Sequence, residues 1–183
     1  MRAPICLPAA VVLLTTACAA QDAPAVALPE PAPVTVEVAA ASSGGACRLL
    51  DFATIAKHTG DRFDVAAASD QDDTHTCVVR TATASWPELS LTVTDTPIDA
   101  AGFTADVRPD GSVAVPKLGR AGYRRVTAGT TKHGPVAEVG WLAQEERLGV
   151  LRWTGRPGAA RAAADAQAGR LITLARTLDM DAR

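Results

Sequence analysis

The chain has 183 residues, which at the usual size of roughly 100–200 residues per domain is one domain with extra segments. Hydrophobic residues make up 48% and charged residues 21%, enough apolar matter for a packed core, so wholesale disorder is excluded. The formal net charge of −2 excludes the strongly basic footprint of a nucleic-acid binder.

Met1-Arg2 gives a short positive start, and Ile5 to Thr16 is an apolar run. Small residues around Cys18 follow, then a polar, Pro-rich stretch. That order describes a secretory signal peptide over 1–17, and the run falls short of the roughly 20 apolar residues a spanning helix needs. Leu14-Thr15-Thr16-Ala17-Cys18 resembles the lipobox of bacterial lipoproteins, with Thr15 where an aliphatic residue is usual. The resemblance implies that Cys18 takes a diacylglycerol, that the chain is cut just before it, and that the lipid then holds the mature protein to the membrane. The competing reading is plain cleavage after Ala19 or Ala20, which would release a soluble secreted protein.

Residues 18–45 carry the attachment point and a Pro/Ala-rich tether that closes on Ser-Ser-Gly-Gly. Its reach is roughly 25–30 Å if flexible and near 80 Å if extended as polyproline II. Val34 to Val38 alternates enough to form a stray strand. Of the four cysteines, Cys6 leaves with the leader and Cys18 is assigned to lipid, which leaves Cys47 and Cys77. In an oxidising compartment this pair is expected to form a disulfide. Metal ligation and redox chemistry are the rival readings, and neither finds a CxxC or a partner histidine at ligand spacing.

The globular domain is placed at 46–183. Asp51 is a plausible N-cap for a helix over 52–59, with Leu50 and Ile55 as a hydrophobic staple and Gly60 as the left-handed stop. Thr76 to Ala84 reads as a strand, and Leu89, Leu91 and Val93 alternate with Ser90, Thr92 and Thr94 as the next. Trp86-Pro87 fits a hairpin loop between them. Ile98 to Ala105 reads as a short helix and Pro109-Asp110-Gly111 as a turn. Strands follow near 122–127, 136–143 and 147–154, joined by short loops that make them antiparallel neighbours. From Ala159 on, Ala164, Ala168, Leu171, Ala175 and Leu178 fall on one helical face. The expected fold is α+β: an antiparallel sheet of about five strands, with a short N-terminal helix and a longer C-terminal helix packed on it.

Chemistry is thinly signalled. His58, His75 and His133 have no HxH or HExxH spacing, and surface positions explain them. Asp70-Gln71-Asp72-Asp73 clusters three carboxylates but lacks the calcium-loop pattern, and reads as a solvated loop. No nucleophile elbow, phosphate loop or dinucleotide fingerprint is present, so no catalytic residue, metal ligand or cofactor is assigned. Residues 117–156 hold eight basic and three acidic residues. If Arg120, Arg124, Arg125, Arg147 and Arg152 share a face, that face could meet anionic lipid heads or wall polymers. A mixed, self-neutralising surface is the plainer reading.

The lipobox-like start, the Pro/Ala tether, Cys-Arg-Leu-Leu-Asp-Phe at 47–52, Cys77 followed by Val-Val, Lys-Leu-Gly-Arg-Ala at 117–121 and the closing helix together resemble the small cell-envelope lipoproteins of actinobacteria. The resemblance spans about 135 residues. It implies an α+β domain with one disulfide on the outer face of the cell membrane, and it brings no catalytic residues with it. The expected role is a non-enzymatic module that binds an envelope protein, a wall polymer or a small ligand, with the membrane as partner through its lipid. A carrier of a lipid or hydrophobic ligand, held between sheet and terminal helix, is one alternative. A hydrolase built on one of the histidines is the other.

Overall fold

The computed structural model describes residues 40–144 and 146–180. Residues 1–17, expected to be a signal peptide, Cys18 and the 34–38 segment lie outside the described residues. Two 3-10 turns, Ala40–Ser43 and Gly45–Leu49, open the described chain. Ala40 is buried and the Ser43 hydroxyl donates to the Ala66 carbonyl at 3.0 Å, so residues 40–45, which composition gives to the tether, pack on the domain.

Helix α1 (Phe52–Thr59) forms where its signals predict. The Asp51 carboxylate accepts from the Thr54 N–H at 2.8 Å and from its hydroxyl at 2.9 Å. Those bonds favour the charged form and hold the Asp51 pKa below the ordinary carboxylate value. Gly60 ends the helix at φ 79°, and both staple residues, Leu50 and Ile55, are buried.

Seven strands follow: β1 (Val65–Gln71), β2 (Thr74–Thr81), β3 (Ala84–Asp95), β4 (Val113–Ala114), β5 (Ala121–Thr127), β6 (Val136–Leu142) and β7 (Arg147–Thr154). They make one antiparallel sheet in the order β1-β2-β3-β7-β6-β5-β4. The expected count of about five is therefore short by β1 and β4. Val-Ala-Ala-Ala-Ser-Asp-Gln is poor in β-branched and aromatic residues, and β1 owes its form to pairing with β2 along its whole length. The Asp70–Asp73 cluster is not a free loop: Asp70 and Gln71 end β1, and Asp72 (φ 50°) and Asp73 make the two-residue turn into β2. The next turn is Ala82-Thr83, since Thr81 pairs with Ala84. Trp86-Pro87 lies inside β3 instead, beside the register shift after Val79, where a missing N–H costs no ladder bond.

The sheet is two local meanders, β1–β3 and β4–β7, joined only through the β3–β7 pair. On one face the aligned row Cys77, Leu91, Leu151 and Val139 is fully buried. Helix α3 (Arg161–Ala175) covers β5–β7 on this face and packs on α1. Four of the five residues expected on its inner side, Ala164, Ala168, Leu171 and Ala175, are buried there, joined by Gln167 and Leu174. The small alanines let the helix approach the sheet closely.

The opposite face carries a smaller cluster. Helix α2 (Ala100–Gly102), capped by Asp99 and continued as a π-turn over Phe103–Val107, buries Phe103 against Tyr123 and Leu142. The Phe103 and Tyr123 ring centroids are 5.9 Å apart. Tyr123 donates to Glu138 at 3.0 Å, and burial, ahead of the Glu138 charge, raises its pKa. No helix among the described residues is long and apolar enough to cross a membrane.

Candidate functional site

A cavity of about 420 Å³ opens where the second 3-10 turn overhangs the sheet. Gly45, Ala46, Arg48 and Leu49 form its roof, while His75, Val93, Asp95 and Arg147 form the floor and wall. The floor residues share one face because His75 pairs with Val93 and Asp95 with Arg147 across the strands. Cys47 in the roof is disulfide-bonded to Cys77 in β2, with Cα atoms 4.9 Å apart, so the expected bridge also ties roof to floor. Gly45 has φ 49°, and a Cβ there would meet the Asp70 carboxylate at 2.7 Å. A larger residue would be strained at that φ and would have to push the Asp70 carboxylate aside.

The cavity combines apolar surface with fixed charges. His75 Nδ1 lies 2.7 Å from Asp70 Oδ1, a contact set by the β1–β2 register. Arg147 donates from Nε to Asp95 at 3.1 Å, and its other arm reaches the Met180 carbonyl. Arg48 is exposed and makes no ion pair among the described residues. His75 thus has an orienting carboxylate, as a general base would, but among the described residues no serine, threonine or cysteine is hydrogen-bonded to it. His58 lies in the last turn of α1, and His133 is exposed in the loop before β6. Among the described residues no three His, Cys, Asp or Glu side chains come together as metal ligands do.

The five arginines, whose joint contact with an anionic surface depended on a shared face, do not share one. Arg124 and Arg125 are consecutive in β5 and therefore point to opposite sides. Arg125 pairs with Glu138, which in turn pairs with Arg152, so the three form a row on the side away from α3. Arg147 belongs to the cavity wall, and Arg120 lies in the loop before β5. Two of the five are already neutralised, Arg147 by Asp95 and Arg152 by Glu138 at 3.6 Å.

A second polar cluster lies beneath the α1–α3 contact and was invisible in the sequence. Asp61 Oδ2 accepts from Trp153 Nε1 at 2.8 Å and from Gln167 Nε2 at 3.0 Å. The Thr59 carbonyl accepts from Arg170 at 2.8 Å and from Gln167 at 3.2 Å. Burial raises the Asp61 pKa, against the lowering pull of the Trp153 bond and the Arg170 charge. An acid whose folded pKa is raised contributes stability that is complete below its ordinary value and is lost as pH rises through the raised one. Relative to Asp61→Asn, the native protein should therefore gain stability as pH falls from neutral towards the ordinary aspartate value. Denaturant midpoints of both proteins across that range check this, and a constant gap would refute it. Asp61→Ala, which strands two donors, should cost about 1–3 kcal/mol at neutral pH.

No protein-family model, no curated protein and no solved structure matches the chain.

Proposed function

We propose that the chain is a non-enzymatic binding module of the extracytoplasmic envelope, anchored by lipid on Cys18, and that it holds a small amphipathic ligand beneath the disulfide-tied turn. The cavity carries this reading. Its volume of about 420 Å³ falls within the roughly 300–1,000 Å³ typical of small-molecule sites. Leu49, Ala46 and Val93 offer an apolar bed, and Arg48, His75 and the Asp95–Arg147 pair offer polar contacts around it. The lipid-carrier alternative places its ligand between sheet and terminal helix, and there Ala164, Ala168, Leu171 and Leu174 are fully buried. An anchor and a tether serve a module that must stay at the membrane while reaching outward; an envelope protein or wall polymer remains a partner suited to that position.

The test is native mass spectrometry of the protein purified from its own envelope. A small-molecule adduct should accompany the wild type and be absent from Leu49→Trp, which fills the cavity from its roof. An identical bare mass for both would refute the ligand reading. The same material tests the anchor: the mass of processed wild type should include a diacylglycerol that Cys18→Ala lacks, and a Cys18→Ala protein that still fractionates with membranes would count against it.

A further inference from the structure

We infer that the corner formed by the end of the π-turn and the loop before β5 is a binding site for a phosphate-type oxyanion, separate from the cavity beneath the disulfide. Arg108, Lys117 and Arg120 line one depression of about 250 Å³. Among the described residues none of the three is in an ion pair. Asp106 and Asp110, the nearest carboxylates along the chain, make no ion pair with Arg108 either. Three cationic residues around one hollow raise the local positive potential, which favours an anion there.

The backbone presenting these cations is fixed before any ligand arrives. Lys117 and Gly119 both have φ 58°, a conformation costly for the lysine, and the loop is locked from several sides. Leu118 and Val115 are buried, the Arg120 N–H donates to the Leu142 carbonyl at 2.7 Å, and the Val115 N–H donates to Gly122 at 2.8 Å. A Cβ on Gly119 would collide with the Leu142 carbonyl, so glycine is required for the loop to lie against β6. Arg108 is oriented by two bonds to Ser112, from Nε at 3.1 Å and from Nη2 at 3.2 Å, which leaves its remaining guanidinium N–H groups for a ligand. Two arginines able to grip planar oxygen pairs, plus a lysine as point charge, suit a phosphate ester or phosphodiester better than a single carboxylate.

The experiment is an amide-resolved NMR titration of the full chain with inorganic pyrophosphate, against sodium chloride at equal ionic strength. Saturable shifts are expected at residues 117–120 with pyrophosphate and not with chloride. Arg120→Gln and Lys117→Gly should each weaken binding by about five-fold or more, a factor expected for loss of one charge-assisted contact. The glycine variant removes the charge while suiting the positive φ, so it keeps the loop in shape. Arg161→Gln, on α3, should bind as wild type does. Co-sedimentation with vesicles of pure phosphatidylcholine, with or without phosphatidylglycerol, identifies the source. Variant-sensitive binding to the anionic vesicles assigns a lipid headgroup, and pyrophosphate binding without it assigns a soluble or polymeric phosphate. Shifts equalled by chloride, or unchanged in Arg120→Gln and Lys117→Gly, overturn the inference. Leu49→Trp should leave the titration unaltered, which separates this result from the fate of the cavity reading.

Discussion

Replacing Cys47 and Cys77 together by alanine should lower the stability of the domain by about 3–4 kcal/mol, a fall in melting temperature of roughly 10 °C. The bond spans a sequence separation of 30, and both residues are fully buried, so its loss both frees the unfolded chain and leaves two small side chains where a covalent tie had been. The effect is local as well as global. Gly45–Leu49 is the segment that the bond holds over β2, so its amides should exchange faster in the double variant while those of β6 and β7 change little. Thermal unfolding with hydrogen exchange measures both. A melting temperature within about 2 °C of wild type would mean that packing alone holds the turn.

Leu151→Ala should cost about 3 kcal/mol, within the range of roughly 2–5 kcal/mol for emptying a leucine site in a closed core. Leu151 is fully buried, aligned with Leu91 on one side and Val139 on the other, at the one seam where the two meanders meet. The row cannot collapse inward, because its neighbours are held in register by two strands. Val150→Ala, one position along β7 on the opposite, half-exposed face, should cost about 1 kcal/mol. Denaturant unfolding of the two variants provides the comparison, and equal losses would show that the seam is not where the core is tightest.

Much of this fold is readable from local chemistry. Helix α1 carries its own start and stop in Asp51 and Gly60, and β5, β6 and β7 hold Tyr, Val, Leu and Trp between connections rich in Gly, Thr and charged residues. The misses have physical causes. Strand β1 is alanine-rich and takes its conformation from β2. Pro87 reads as a breaker, and its tolerance depends on a register shift that only the paired strands reveal.

The candidate site was less legible than the fold. The His75–Asp70 contact follows at once from a two-residue turn at Asp72-Asp73, but only after β1 is recognised as a strand. Asp61, Trp153 and Gln167 meet from positions 92 and 106 residues away from Asp61, a distance no local pattern spans. The arginines are a different case: period-two alternation alone separates Arg124 from Arg125, and charge counting along a segment ignores it.

The position of Cys47 also sets a mechanical path. A load arriving from the segment before Ala40 meets the bridged cysteine ahead of every strand. Peeling the first turn from β1 would break the Ser43–Ala66 hydrogen bond and expose Ala40, and beyond that point the force passes covalently into β2, inside the sheet and away from its frayable rim. A chain hauled by its N-terminal end would therefore yield a few residues of slack and then stiffen.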